Sequence, residues 1–277
     1  MSMPDDWEED ETRRAKAALI STAVPNAARV ADFMYGGQNN FEADRRAARA
    51  LVKTAPVVAD IAPAARAFQH RVLRFLVVDA GIRQFLDIGT GLPLVGSTHE
   101  VTQSLAPECR IVYVDNDPMV LAHARALLVS APGGEVGYVD AEVRDPGSII
   151  AGARETLDFT QPVAVLLLFT LAYVGDGAEA SRIVSSLMAA VPPGSYLALY
   201  HLAGDVNPEL GEAASQWNIM MPAQPITLRS HAEVADLATG LDLVPPGLTP
   251  VTAWRPADGD PRFDRAVPVY GLAARKP

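Results

Sequence analysis

The sequence predicts an α/β fold whose sheet is mostly parallel, ends in an antiparallel strand and follows an N-terminal helical extension. Residues 85–88 are an apolar run that stops at Gly89 and Gly91, as in the first strand-to-helix turn of a nucleoside-binding unit. Residues 163–169 are continuously apolar, which is typical of a parallel strand covered on both faces. Residues 267–274 follow an extended segment after a connection too short for a crossover helix, so this last pair should be antiparallel.

The composition limits the number of domains and the kinds of partner. The chain has 277 residues, of which 49% are hydrophobic, enough for one large α/β domain with appendages. Its formal net charge of −10 disfavours a nucleic-acid partner, because neutralising phosphates requires a basic surface. No apolar stretch approaches the ~20 residues needed to cross a bilayer, so we expect no membrane partner.

Cysteine usage indicates the compartment. The single cysteine, Cys109, cannot form an internal disulfide, and no Cys/His cluster has metal-ligand spacing. The N-terminus carries acidic residues where a signal peptide would be basic. We therefore predict a cytoplasmic protein without a metal site, and the sequence leaves its oligomeric state open.

The chain divides into two predicted regions. Residues 1–80 should form an acidic tail and a helical lid region, and residues 81–277 should form the ligand-binding α/β domain. In the first region we expect a solvated tail over 1–12 and helices over 12–20, 26–35, 41–54 and 57–80.

Cap signals and apolar runs mark the elements of the second region. The cap signals are Ser97 with Glu100, Asp117 with Pro118, Asp145 with Pro146, Asp176 with Glu179, and Ser230 with Glu233. They predict helices that begin near 98, 118, 146, 177 and 231. Strands are expected at 85–88, 111–114, 136–139, 163–169, 196–201, 241–254 and 267–274, with an irregular segment at 202–229.

The strand ends carry the pattern of a nucleoside site. Asp87 precedes Gly89 and Gly91, and Asp115 ends the next predicted strand. A carboxylate accepts hydrogen bonds only, so Asp115 suits two vicinal ribose hydroxyls. Leu94 stands where a dinucleotide-binding loop has its third glycine, and this departure argues against a tightly seated pyrophosphate. A ligand with a positive charge beside Asp87 fits better.

These residues occur within longer sequence segments that resemble those of a known family. The words FLDIGTGLP, HEV, VYVDNDPMVLAHARALL and PPGSYLALYHL are similar to those of class I S-adenosylmethionine-dependent methyltransferases, in particular a poorly characterised bacterial S-adenosyl methyltransferase family. The resemblance runs from about Asn26 to the C-terminus. It implies a Rossmann-like sheet, S-adenosylmethionine as cofactor and methyl transfer to a small-molecule acceptor.

The resemblance and the strand ends together assign cofactor contacts. Asp87 is expected to attract the ammonium of S-adenosylmethionine, and Asp115 to accept from both ribose hydroxyls. Asn116 is a further candidate contact, whereas Asp117 has a structural role as a helix cap. The loop residues whose backbone the cofactor approaches are Gly89, Thr90 and Gly91.

The ends of the third and fourth strands supply the remaining cofactor contacts. Glu142 matches the acid of the family that accepts from the adenine amino group, with Val143 offering its backbone. Asp140 is a close competitor for that role. Phe169 and Thr170 should border the sulfonium, although Phe169 also suits a plain core position.

The polar segment around Gly36 and Gly37 and the segment at 202–229 are expected to complete the cavity. Tyr35, Asn39 and Asn40 are candidates for a lid over the cofactor, and an ordinary loop between helices is the alternative. Trp217 and Met220 are candidates for the apolar lining of an acceptor pocket.

No residue stands out as a catalytic base. His201, His99 and Tyr35 are weak candidates by position, and a lone histidine is usually structural. The other histidines, His70, His123 and His231, fall in helical patterns that favour the surface.

Two alternatives to a methyltransferase remain at this point. A protein that binds S-adenosylmethionine or S-adenosylhomocysteine without catalysis would carry the same motifs. An NAD-dependent oxidoreductase would require the third glycine, and both Leu94 and Asp87 count against it.

Overall fold

The structure is a computed structural model that describes residues 21–277. The predicted acidic tail over 1–12 and helix over 12–20 lie outside the described residues. The helices are α1 (Ala27–Met34), α2 (Glu42–Thr54), α3 (Val58–Arg74), α4 (Thr98–Leu105), α5 (Pro118–Leu127), α6 (Pro146–Ala153), α7 (Gly177–Ala190), α8 (Glu209–Met220) and α9 (His231–Asp236). The strands are β1 (Gln84–Ile88), β2 (Arg110–Asp115), β3 (Glu135–Asp140), β4 (Ala164–Leu168), β5 (Tyr196–Leu202), β6 (Asp242–Leu243), β7 (Thr249–Pro250) and β8 (Val269–Arg275).

The strands form one sheet in the order β3-β2-β1-β4-β5-β8-β6, with β7 also paired to β8. Strands β1 to β5 are parallel, and β8 runs antiparallel to β5, β6 and β7. The prediction of a mostly parallel sheet with an antiparallel last strand is therefore confirmed. The strand order reverses between β1 and β4, which opens a crevice at the carboxyl ends of these strands.

The two faces of the sheet bury different helices, because side chains alternate along each strand. On one face, Phe85 and Tyr113 pack with α2, α3 and α8. On the other face, Leu86 and Val112 pack with α6, α7 and α9. Helix α3 buries Phe68, Val72 and Leu73 in the first of these layers. Its Phe68 lies so close to Gly271 of β8 that a Cβ there would come within 2.8 Å of the ring.

Two segments differ from the sequence prediction. Residues 241–254 were expected to be extended, but only β6 and β7 pair with β8, and the chain turns at Pro245, Pro246 and Gly247 between them. Proline has no N–H to continue a strand ladder, which explains the interruption. The segment at 202–229 contains α8, which the prediction missed. No side-chain cap marks its start, since its N-cap residue is Pro208.

The capping box that starts α9 offers a stability test. The Ser230 hydroxyl accepts from the Glu233 N–H, and the Glu233 carboxylate accepts from the Ser230 N–H. Ser230→Ala should lower the free energy of unfolding by about 1 kcal/mol, as measured by urea denaturation. Ser215→Ala in α8 is the control, because its hydroxyl bonds a carbonyl of its own helix and alanine is well tolerated there. Equal losses in both variants would contradict a capping role.

Candidate functional site

A cavity of about 450 Å³ opens at the carboxyl ends of the parallel strands. Its floor is formed by the ends of β1, β2, β4 and β5, and its walls come from α1, α3, α8 and the segment that follows α8. The volume falls within the range of small-molecule sites. The cavity lies where the reversal of strand order predicts a ligand.

The glycine loop after β1 faces this cavity. Gly89 has φ +76° and Gly91 has φ +66°, a region that side chains other than glycine rarely adopt. A Cβ on Gly89 would come within 2.2 Å of the Thr170 hydroxyl, whereas nothing lies within 4 Å of the corresponding position on Gly91. The loop is held from behind, since the Gly89 N–H donates to the carbonyl of Val114 at 2.8 Å. Its exposed backbone leaves room for a ligand.

Asp115 lies at the end of β2 beside this loop. One carboxylate oxygen accepts from the Gly91 N–H at 3.0 Å, and the other accepts from the Asp117 N–H at 2.9 Å. Each oxygen keeps a second lone pair for a ligand hydroxyl. The side chain is 9% exposed, and burial raises the pKa of Asp115 to about 6.

Asp87 lies at the end of β1 and accepts from the Thr98 hydroxyl at 2.6 Å. Burial raises the pKa of Asp87 to about 6, the bond from Thr98 lowers it, and the charge of Asp115 raises it further. The carboxylate of Asp115 is therefore close enough to oppose the ionisation of Asp87. A cationic group between them and the cavity would relieve this repulsion.

The tips of β2 and β3 meet at the edge of the cavity. Asn116 donates its side-chain N–H to the Glu142 carboxylate, which also pairs with Arg144 at 3.0 Å. Glu142 and Val143 both line the cavity. Asp140, the competitor for the role of Glu142, is exposed and lies outside the cavity lining.

The residues after β4 close the floor. Phe169 has φ +81°, which is strained for an aromatic residue, and strain of this kind concentrates at functional sites. Its ring lies between those of Tyr173 and Tyr200, at centroid distances of 5.5 and 6.3 Å. Thr170 donates its hydroxyl to the carbonyl of Ile88, which ties β4 to β1.

Among the predicted lid residues, the structure brings Tyr35 to the cavity and leaves Asn39 and Asn40 outside its lining. Asn40 instead closes its own loop, donating to the Asp32 carboxylate at 2.7 Å. Gly37 in the same loop has no room for a side chain, because a Cβ there would come within 2.1 Å of Asp32. The Asn40 amide therefore helps to order the turn between α1 and α2.

The histidine candidates lie behind the cavity wall. His201 is 0% exposed, its Nδ1 bonds the Leu202 carbonyl, and its Nε2 faces the guanidinium of Arg229. Burial lowers its pKa to about 4. His99 places Nδ1 2.9 Å from the hydroxyl of Tyr113, and burial lowers its pKa. Neither histidine lines the cavity. Both side chains are engaged in hydrogen bonds with other residues of the protein.

Sequence reasoning missed several cavity residues. Tyr200 and Tyr173 reach the cavity, and Arg66 lies over the Tyr35 ring with its guanidinium carbon 5.1 Å from the ring centre. Tyr200 lies near the carboxyl end of β5. Because side chains alternate between the two faces of a strand, the position of Tyr200 in β5 could have identified it as a cavity residue. Of the two acceptor-pocket candidates, Trp217 lines the cavity and Met220 does not.

A parallel sheet of this order, with a glycine loop after β1 and a buried carboxylate at the end of β2, is the arrangement that the resemblance to class I S-adenosylmethionine-dependent methyltransferases implies. The chain belongs to the S-adenosyl methyltransferase family, whose model matches residues 13–277. It is an S-adenosylmethionine-dependent methyltransferase, as the sequence predicted. Neither the oxidoreductase alternative nor the non-catalytic alternative is supported by this family.

Solved structures agree with the family. A DUF574 family protein from Streptomyces avermitilis is 40% identical, with a TM-score of 0.88 over 92% of this chain and 99% of that one. A candidate methyltransferase from Thermobifida fusca is 37% identical, with a TM-score of 0.83 over 92% and 96%. An O-methyltransferase family protein from Burkholderia thailandensis shares only the fold, at 17% identity and a TM-score of 0.51 over 98% and 69%. Among curated proteins, none matches this sequence.

Between residues 21 and 277, no helix combines the length and apolar character that crossing a membrane requires. Within the same range, no group of His, Cys, Asp and Glu side chains could hold a metal ion.

Proposed function

We propose that the protein methylates a small-molecule acceptor, with the cofactor held between the ends of β1 and β2. The observation that carries this proposal is the pair of buried carboxylates, Asp87 and Asp115, on either side of an exposed glycine backbone. Asp115 accepts from the two ribose hydroxyls, and Asp87 faces the ammonium of the cofactor. Gly89, Thr90 and Gly91 let the backbone approach the amino-acid part.

The remaining cofactor contacts follow the next strand ends. Glu142 accepts from the adenine amino group and Val143 contacts the base, with Asn116 orienting the Glu142 carboxylate through their hydrogen bond. Phe169 and Thr170 border the sulfonium. S-adenosylmethionine supplies a methyl group that is already activated by its positively charged sulfur.

The N-terminal part of the chain serves as a cover for residues 81–277. Helix α1 is held at its start by a bond from the Asn26 amide to the Asp117 carboxylate at 3.0 Å. At its end, the Tyr35 hydroxyl lies 3.3 Å from that of Tyr200. The helix therefore passes over the cavity from the end of β2 to β5, excluding water and holding the acceptor against the methyl group.

The acidic charge and the enclosed cavity favour a small molecule over nucleic acid as the acceptor. The buried, unpaired thiol of Cys109 fits a reducing compartment, so we place the reaction in the cytoplasm. Finding the protein with secreted or membrane-bound material after cell fractionation would contradict this placement.

Affinity for S-adenosylmethionine should fall as the solution becomes acidic. The cofactor contacts need both carboxylates ionised, and both have a pKa of about 6 in the free protein. Each carboxylate should therefore cost about tenfold in affinity near pH 5, as measured by calorimetric titration. The stability of the free protein should change in the opposite direction. Because the folded state raises the pKa of both carboxyl groups from 3.8 to about 6, their contribution to stability is fully present below pH 3.8 and is lost as the pH rises through about 6. The free protein should thus become more stable over the acidification that weakens binding.

The double variant Asp87→Asn and Asp115→Asn is the matched control for this titration. It should bind the cofactor more weakly and with little dependence on pH, because neither side chain titrates. NAD, tested in parallel, should not compete. An affinity that stays constant from about pH 8 to about pH 5 would reject the assignment of both acids.

A further inference from the structure

The cavity contains an arginine, Arg66 of α3, whose position matches the amino-acid end of the cofactor. We propose that Arg66 binds the carboxylate of S-adenosylmethionine and links this contact to α1 by lying over the ring of Tyr35. The inference rests on the proposed function, because it assigns a further contact to the same cofactor. It gives the N-terminal helices a direct part in recognising that cofactor.

The cofactor carries one negative group into a cavity that is otherwise acidic. At neutral pH, S-adenosylmethionine has a positive sulfur, a positive ammonium and a negative carboxylate. Asp87 and Asp115 both line the cavity, and their charges favour the positive groups but repel the carboxylate. A cationic partner for the carboxylate within the same cavity would offset this repulsion.

Two cationic side chains of the described residues line the cavity, Arg66 and Arg144. Arg144 pairs with Glu142 at 3.0 Å and with Glu179 at 3.5 Å, at the edge where adenine is expected. In the part of the chain that the structure describes, no carboxylate forms an ion pair with Arg66. Of these two cations, Arg66 is therefore the one that can receive a carboxylate from a ligand.

The guanidinium of Arg66 is oriented by the loop between β1 and α4. Its Nη1 donates to the carbonyl of Val95 in this loop at 2.5 Å. A guanidinium has five N–H donors, and this bond fixes the direction of the side chain while using one of them. The edge formed by Nε and Nη2 can bind both oxygens of a carboxylate at once, a geometry that arginine favours.

Arg66 lies on the same side of the cavity as Asp87. Gln69, three residues further along α3, donates to the Thr98 hydroxyl at 3.4 Å, and that hydroxyl donates to Asp87 at 2.6 Å. Residues three apart on a helix project from the same face, so the guanidinium is next to this chain of hydrogen bonds. An ammonium at Asp87 and a carboxylate at Arg66 would therefore belong to one amino-acid group.

The same guanidinium lies over the end of α1. Its carbon is 5.1 Å from the centre of the Tyr35 ring, a distance at which a cation is attracted to an aromatic face. A carboxylate that holds Arg66 in this position also favours the position of Tyr35, whose hydroxyl lies 3.3 Å from that of Tyr200. Binding of the carboxylate should therefore stabilise the contact between the end of α1 and β5.

The experiment compares S-adenosylmethionine with decarboxylated S-adenosylmethionine, which lacks only the carboxylate, by calorimetric titration of the full chain at neutral pH. The wild-type protein should bind S-adenosylmethionine about tenfold more tightly, as expected for a charge-assisted pair. Arg66→Ala should abolish or reverse this preference, because the decarboxylated compound presents more positive charge to Asp87. Arg66→Lys should keep part of the preference, since the charge remains and the planar fork is lost.

Arg49→Ala is the matched control for the loss of a stacked arginine. Arg49 of α2 also lies over a ring of α1, with its guanidinium carbon 5.6 Å from the centre of the Phe33 ring. It pairs with Glu42 at 3.6 Å and lies outside the cavity lining. Its removal should leave the preference between the two compounds unchanged.

The comparison of the two compounds separates recognition of the carboxylate from support of the fold. If Arg66→Ala weakens both compounds equally, Arg66 only holds the loop at Val95, and the carboxylate assignment is overturned. Equal binding of both compounds by the wild-type protein overturns it as well. Failure of the wild-type protein to bind either compound overturns the proposed function instead. If the alanine variant does not fold, an undiminished preference in Arg66→Lys contradicts a bidentate contact.

Hydrogen exchange tests the link to α1. With each compound at saturation, S-adenosylmethionine should slow the exchange of the α1 amides more than decarboxylated S-adenosylmethionine does. In Arg66→Ala, the two compounds should protect α1 equally. Equal protection of α1 by the two compounds in the wild-type protein would overturn this link.

Discussion

Replacing Asp115 with alanine should weaken binding of S-adenosylmethionine by about 1.5–3 kcal/mol, the expected loss for hydrogen bonds to a charged acceptor. The side chain stands at the end of β2 with both oxygens already oriented by backbone N–H groups, at 3.0 and 2.9 Å. Such an acceptor needs no rearrangement to receive two ribose hydroxyls. Calorimetric titration at neutral pH, where the carboxylate is ionised, measures the effect.

The control for this variant is Asp140→Ala. Asp140 pairs in register with Asp115 at the end of the neighbouring strand, but it is exposed and lies outside the cavity lining. Its removal should change cofactor affinity by no more than a few tenths of a kcal/mol, as for most surface substitutions. Unchanged affinity in the Asp115 variant would remove the ribose assignment. Equal losses in both variants would show that charge near the site matters and that direct contact does not.

Gly89→Ala should lower the free energy of unfolding by about 2–4 kcal/mol and abolish detectable cofactor binding. Left-handed backbone costs about 1–2 kcal/mol in a residue with a Cβ, and the new methyl would overlap the Thr170 hydroxyl. Thr170 cannot swing aside without breaking its bond to Ile88. Urea denaturation measures the loss.

Gly91→Ala separates the two causes. This glycine has the same sign of φ, but nothing lies within 4 Å of its Cβ position. It should lose only the backbone cost of about 1–2 kcal/mol. Adding Thr170→Ala to Gly89→Ala should recover part of the loss, which a double-mutant cycle detects. If the two glycine variants lose the same stability, the contact with Thr170 has no energetic weight.

The elements that the sequence predicted well are those whose signals are local. The apolar run that became β4 and the cap residues that start α5 and α9 lie within a few residues of the structure they determine. Helix α8 was missed because it lacks such a cap and lies in a segment of mixed polarity. Between β6 and β7, the two prolines outweighed an apolar pattern that favoured a longer strand.

The location of a residue at the cavity was predictable where the residue lies at a strand end, as for Asp87, Gly89 and Asp115. It was not predictable where a side chain is occupied by a partner that no sequence motif marks. Asn40 closes its loop on Asp32, and His201 is buried against Arg229. Sequence position shows that such residues are near a strand end or a loop, but it does not show which hydrogen bonds already satisfy them.

The attachment of α1 at both ends bears on how the cofactor and the acceptor bind together. The helix is bonded to Asp117 at one end and to Tyr200 at the other, so lifting it away from the cavity breaks contacts with the ends of both β2 and β5. A molecule that holds α1 against the cavity should favour the same position of the helix for a second ligand, and by linkage this effect is equal in both directions. The two substrates should therefore bind with positive cooperativity, and release of either product should ease the departure of the other.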